Sequence, residues 1–157
     1  MFDALRDPQI YSFIPEKPPL SIADLRRRYR LLQKGASPDR SQLWLNWIVR
    51  LVPSDRCVGY VQATVHASRA ADFAYVLASP FWGCGIATEA CVAAIDFLGT
   101  ELAVRSLYAT VSAENDRSVR LLARLGFVEV APSHYPHGNV VEGDRVFSLA
   151  LDSRHTR

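Results

Sequence analysis

The spacing of apolar residues changes period several times along the chain, and each change predicts an element. From Ser21 to Gly35, Ile22, Leu25, Tyr29 and Leu32 recur at helical spacing while arginines fill the other face. Ser21 with Asp24 makes a capping box in which Asp replaces Glu, and Gly35 supplies the stop. Residues 42–51 (QLWLNWIVRL) and 57–66 (CVGYVQATVH) carry β-branched and aromatic residues on either side of Pro53-Ser54-Asp55, which predicts an antiparallel hairpin. A third strand is expected over residues 72–78. Upstream, residues 7–14 read as a short helix closed by Pro15, Pro18 and Pro19. Downstream, helix 85–99, strand 105–111, helix 115–125 and strand 127–131 alternate as in a βαβ crossover unit. A loop over residues 132–143 then leads to a last strand, Arg145 to Leu151, and Asp152 to Arg157 reads as a frayed polar tail. The expected fold is mixed α/β, as one domain over residues 1–157.

Composition narrows the function classes. With 157 residues and 49% apolar content the chain has enough material for one real core. A net charge of +2 gives no footprint for nucleic acid. No apolar run approaches the ~20 residues that span a bilayer, so a membrane partner is not expected. Cys57, Cys84 and Cys91 are odd in number, lack metal-type spacing and follow no leader pattern, so the chain reads as cytoplasmic and reduced. His66, His137 and His155 likewise lack metal-type spacing and read as surface or loop positions; no metal is expected.

The chemistry concentrates in Pro80-Phe81-Trp82-Gly83-Cys84-Gly85-Ile86-Ala87-Thr88-Glu89-Ala90, where two glycines join a strand to a helix. Glycines let the backbone turn tightly and expose its N–H groups, and the helix that follows adds about half a positive charge at its N-terminus. Such a turn is an anion cradle. It is neither a P-loop, which needs Gly-Lys-Ser/Thr, nor a dinucleotide fingerprint, which needs a third glycine.

A second helix N-terminus follows at Glu114-Asn115-Asp116-Arg117-Ser118, on a helix closed by Leu125-Gly126-Phe127. Together with Tyr75-x-Leu77 and Trp82-Gly83-x-Gly85-x-Ala87-Thr88-Glu89-Ala90, this order of motifs resembles the GNAT superfamily of acetyl-CoA-dependent N-acetyltransferases, in its RimJ/RimL-like branch, over about residues 7–151. The resemblance implies a GNAT-like acyl-CoA N-acyltransferase fold and acetyl-CoA as acyl donor. It implies that the CoA pyrophosphate sits on the turn formed by Trp82, Gly83, Cys84, Gly85, Ile86, Ala87 and Thr88. The pantetheine arm would follow the strand ending at Leu77 and Ala78, with Asn115 and Ser118 near the thioester. Thr88 would donate to a phosphate or cap the first helical turn, two compatible roles.

The resemblance also frames catalysis. Many members carry a Tyr as thiol acid four residues before the Gly of Gly-Phe, where this chain has Leu122. Ser118 matches a serine near the thiol in the RimL-like branch and is the candidate donor, with helix capping as its alternative role. Asp72 matches a position where related sequences often have Glu, and is the candidate base; Glu114 and His134 rank below it, and Thr110 stands where other members carry a carboxylate. Cys84 and Cys91 are set aside as nucleophiles in favour of direct transfer.

The acceptor is expected between residues 11–29 and 133–143. Trp44, Trp47, Tyr60 and Tyr135 are candidates for its walls, though mostly core, and Arg26, Arg27, Arg28 and Arg30 offer attraction for an acidic acceptor or a solvated face. RimJ/RimL-like chains usually begin with an edge strand, which has no counterpart in Met1 to Arg6. Either the start is truncated, or the strand at 42–51 becomes an edge that a homodimer would cover. The expected function is acetyl transfer to a protein N-terminus or a small-molecule amine. The alternative is a catalytically weak acyl-CoA-binding sensor or scaffold, distinguished by its lack of acceptor-dependent turnover.

Overall fold

The computed structural model describes residues 1–151; the tail expected over 152–157 lies outside the described residues. A single six-stranded sheet carries the molecule, in the order β1-β2-β3-β4-β6-β5. β1 (Gln42–Leu51), β2 (Arg56–His66) and β3 (Ala70–Leu77) form the expected antiparallel meander. From β3 the chain crosses through α3 (Ile86–Thr100) to β4 (Ser106–Ser112), the parallel neighbour of β3.

The second half departs from simple alternation. After α4 (Asp116–Arg124), β5 (Val128–Val130) does not lie beside β4, because β6 (Asp144–Ala150) inserts between them, antiparallel to both. β5 is too short, at three residues, and too exposed to serve as a central strand; the apolar β6 takes that place. The stretch expected as a helix over 7–14 is a 3-10 turn at Pro8–Ser12, preceded by the short α1 (Phe2–Leu5). α2 (Ile22–Leu32) begins where the sequence places it, with the Ser21 side chain accepting from Asp24 N–H at 3.1 Å.

The sheet buries two unequal faces. Val61, Ala63, Ala71, Phe73, Leu107, Ala109, Val111 and Phe147 pack beneath α3 and α4, against Cys91, Leu98 and Leu122. Burying a side chain such as Leu122 contributes roughly 1.5–3 kcal/mol. The opposite face holds a smaller cluster of Leu5, Ile10 and Leu25, flanked by Tyr29, Tyr60 and Val76. Trp47 and Tyr60 are thus packing residues, as expected for most of the aromatic candidates. β1 is an outer strand, as anticipated, and only its start is covered: Trp44 N–H donates to Gly35 C=O, and Ser37 N–H to Gln42 C=O.

Candidate functional site

One feature of the sheet organises the site. β3 and β4 are paired only at Ala70–Ser106, Ala71–Leu107 and Asp72–Tyr108, although both strands run on. Beyond Asp72 they part, and a wedge opens in the sheet. The side of β3 toward β4 therefore lacks a strand partner from Phe73 to Leu77. Side chains alternate along β3, so Tyr75 faces α4 while Asp72 and Ala74 face the other way. The wedge thus has two polar sides.

On the α4 side lies a cleft of about 450 Å³. Its floor is Tyr75, Val76 and Leu77; its far wall is the glycine turn and the start of α4. Gly83 and Gly85 have φ of +76° and +80°, and Gly85 is the N-cap of α3. Such backbone favours glycine, which also leaves the N–H groups open to an anion. Of the predicted donor-binding residues, Leu77, Trp82, Gly83, Gly85, Ala87, Thr88, Asn115 and Ser118 line this cleft. Ala78, Cys84 and Ile86 do not, for physical reasons: Ala78 is buried, while Cys84 is exposed with its thiol toward Trp82 C=O at 3.6 Å. Thr88 lines the cleft in the first turn of α3, whose N-cap is Gly85.

Asn115, not Ser118, caps α4: its side-chain oxygen accepts from Ser118 N–H at 3.1 Å. The Ser118 hydroxyl is instead 2.7 Å from the Tyr75 hydroxyl, which also donates to Ser118 C=O at 3.2 Å. Burial pushes the Tyr75 phenol above its ordinary value, against the opposing bond to Ser118, so it remains a neutral donor. Sequence reasoning placed Tyr75 in the motif without giving it a task.

The sequence also missed two walls of the cleft. Arg117, Arg120 and Arg124 line it from successive turns of α4, with the Arg117 guanidinium 4.2 Å over the Trp82 ring. Gln9 to Ile14 close the opposite side. Asp7 fastens that segment by accepting from Gln9 N–H and Ser79 N–H. Burial alone would raise its carboxyl, but these bonds outweigh it and hold the group below the ordinary value. No motif in the sequence announces this contact between positions 7 and 79.

On the other side of the wedge is a smaller polar pocket of about 120 Å³, lined by Gln62, Thr64, Asp72, Tyr108, Thr110 and Tyr135, among others. The Asp72 carboxylate, 31% exposed, is held by three side chains. Its Oδ1 is 3.0 Å from the Tyr135 hydroxyl and 2.7 Å from His137 Nδ1, and its Oδ2 is 2.9 Å from His66 Nε2. His137 lies in a loop as expected and His66 closes β2, but neither side chain is a surface group: the β2–β3 hairpin and the loop before β6 bring both onto Asp72, with exposures of 17% for His66 and 9% for His137. His155 lies outside the described residues. Of the four aromatic candidates, Tyr135 lines the smaller of these two pockets and the other three line neither. Asp72 and Ser118 are assigned to opposite sides of the wedge, and Glu114 borders the larger cleft.

Burial raises the Cys91 thiol to about 12, which removes it as a nucleophile at neutral pH. Among the described residues no helix is long and apolar enough to cross a membrane.

A family model described as an acetyltransferase (GNAT) domain matches residues 1–128. Over 62 residues the chain is 34% identical to spermidine N(1)-acetyltransferase of Escherichia coli (strain K12), a match spanning 40% of this chain and only 33% of that relative. Among solved structures, spermidine N-acetyltransferase from Vibrio cholerae in complex with CoA and spermine superimposes with a TM-score of 0.73 at 21% identity, covering 96% of this chain and 87% of that one. Mycobacterium smegmatis RimJ in complex with CoA-disulfide gives a TM-score of 0.75 at 20% identity, covering 95% and 75%.

Proposed function

Because the chain belongs to the GNAT acetyltransferase family, we propose that it is an N-acetyltransferase that moves the acetyl group of acetyl-CoA directly to a primary amine. The observation that carries this reading is the wedge between β3 and β4, with a cleft of about 450 Å³ on one side and an acid-bearing pocket on the other.

In this reading the pyrophosphate rests on the N–H groups of Gly83 to Thr88, and Arg117, Arg120 and Arg124 face the remaining phosphate charge. The pantetheine amides pair with the open side of β3, as an added strand would. That places the thioester near Tyr75 and Ser118. As the C–N bond forms and the C–S bond breaks, negative charge grows on sulfur, and these hydroxyls stabilise it by hydrogen bonding. A thiol has a pKa of about 8.5 and a free phenol about 10. With the Tyr75 phenol pushed higher still, its proton stays on oxygen, and the sulfur is protonated at the end by the proton the amine gives up.

The amine approaches from the Asp72 side. Three donors occupy the Asp72 carboxylate, and one acceptor direction on Oδ2 remains for the incoming nitrogen. A single carboxylate so engaged is modest equipment, so positioning supplies most of the acceleration. At pH 7.5 an α-amine of pKa ~8 is roughly one-quarter neutral, whereas a lysine of pKa ~10.4 is about one-thousandth neutral. We therefore favour an α-amine, as on a protein N-terminus, over a high-pKa polyamine. Names among the similar proteins point both ways, to RimJ and to spermidine acetyltransferases. A panel of short peptides, polyamines and small amines assayed for thiol release from acetyl-CoA tests this. Peptide N-termini should lead in kcat/KM; a polyamine turning over far faster would reverse the preference. The partly uncovered β1 edge, with Leu43 and Ile48 exposed, further suits a homodimer, to be checked by sizing with light scattering.

A further inference from the structure

We propose that His66, Asp72 and His137 form a binding site for a divalent transition-metal ion of the zinc class. One ligand-type atom from each lies within 4.8 Å of the others. Two imidazole nitrogens and a carboxylate make a donor set suited to zinc, cobalt, nickel or ferrous ion rather than to calcium or magnesium.

The fold assembles the set from three segments. Asp72 pairs across from Thr64, so His66, two residues further on β2, lies on the same face of the hairpin. His137 comes down from the loop between β5 and β6, its ring stacked on that of His66 with centroids 3.6 Å apart. The two side chains are 17% and 9% exposed, so neither swings freely in water. His137 Nε2 is buried without a hydrogen-bond partner, so the ring's orientation is set by the stack and by Nδ1, the nitrogen aimed at Asp72.

Charge supports a cation at this point. Among the described residues Asp72 has no arginine or lysine partner; the groups paired with it are the two imidazoles, which carry positive charge only when protonated. A half-buried carboxylate with two imidazole nitrogens beside it and no fixed cation is what a divalent ion completes. Tyr135, donating to Asp72 Oδ1 at 3.0 Å, provides the outer hydrogen bond that commonly orients a ligating carboxylate. Around tetrahedral zinc, donors about 2.0–2.1 Å from the ion stand about 3.3 Å apart. The present separations of 2.7 and 2.9 Å, which run to the two different oxygens of Asp72, therefore open by roughly half an ångström when the ion enters. The two rings, now 19° from parallel, turn out of their stack so that both lone pairs meet the ion. A fourth position would face the small pocket and take water. An ion there would claim the carboxylate that an amine would otherwise approach, so metal-bound and amine-bound forms exclude each other.

Metal binding is measured on the full chain, without a histidine tag, stripped with chelator and carrying Cys84→Ser to remove the exposed thiol from competition. Zinc is titrated by calorimetry and cobalt by its visible ligand-field absorption. The expected result is one ion per chain, with zinc displacing cobalt. Affinity should fall about 100-fold or more in Asp72→Asn and His66→Gln, and about 10-fold in Tyr135→Phe, which touches no ion. CoA binding by each variant verifies that it is folded. Absence of saturable one-to-one binding, or binding unchanged in the folded His66→Gln variant, overturns the proposal. Neither readout depends on acetyl transfer, so a failed metal site and a failed acetyltransferase reading are told apart.

Discussion

The two sides of the β3–β4 wedge are built on different plans. The α4 side is made mostly of short runs of sequence: the end of β3 with the glycine turn, the face of α4, and the segment from Gln9 to Ile14. The Asp72 side is made of single residues drawn from positions 62 to 137, held together by side-chain hydrogen bonds. Backbone geometry shapes the glycine turn of the first, which suits it to an unvarying ligand such as a nucleotide-bearing donor. Side chains on a hairpin and a loop create the second, where substitution changes chemistry without disturbing the fold.

That contrast predicts separable defects. The largest belongs to Gly85→Val, because a β-branched residue at φ +80° strains the backbone by about 1–3 kcal/mol. We expect CoA affinity, read by calorimetry, to fall up to about 100-fold with every amine affected alike. Next, Ser118→Ala and Tyr75→Phe should each lower kcat about 10- to 100-fold, leave the Kd for CoA nearly unchanged, and combine less than additively because their hydroxyls are 2.7 Å apart. Asp72→Asn should raise the KM for amine about 10-fold without altering CoA binding. Losses of several orders of magnitude in both Ser118→Ala and Asp72→Ala would contradict a mechanism dominated by positioning.

The smallest effect resolves the two faces by pH. Cys91, on the buried face of α3, has its thiol raised from 9.0 to about 12, while Tyr29, on the face of α2 turned to the smaller cluster, has its phenol raised from 10.0 to about 12. In both, burial favours the protonated form. Each group's contribution to stability is therefore fully present below its unfolded-state value and is lost as pH rises through its folded value. Denaturant midpoints should begin to fall above about pH 9 in the native chain. Cys91→Ala should blunt the early part of that decline, and Tyr29→Phe the part above about pH 10.

Legibility in the sequence follows the same division. The hairpin, the capping box at Ser21 and the glycine turn were readable because each is a local pattern with a local cause. The placement of β6 between β4 and β5 was not, since strand order depends on which apolar strand wins the central position. The bond from Tyr75 to Ser118 spans 43 residues, and His137 reaches Asp72 over 65. No periodicity encodes such pairs. A hint existed in Tyr135 and His137, which alternate in a loop otherwise rich in turn formers.

The central claim is that one chain joins a CoA cleft to an amine-facing pocket and transfers acetyl between them. The most direct measurement is free thiol release from acetyl-CoA by the purified chain, with and without a peptide bearing a free N-terminus, accompanied by mass analysis of the peptide. The account predicts peptide-dependent thiol release with an equal quantity of peptide gaining one acetyl group, both reduced together in Ser118→Ala. Tight CoA binding with thiol release that no amine in the panel accelerates would contradict it, and would leave the chain an acyl-CoA-binding module.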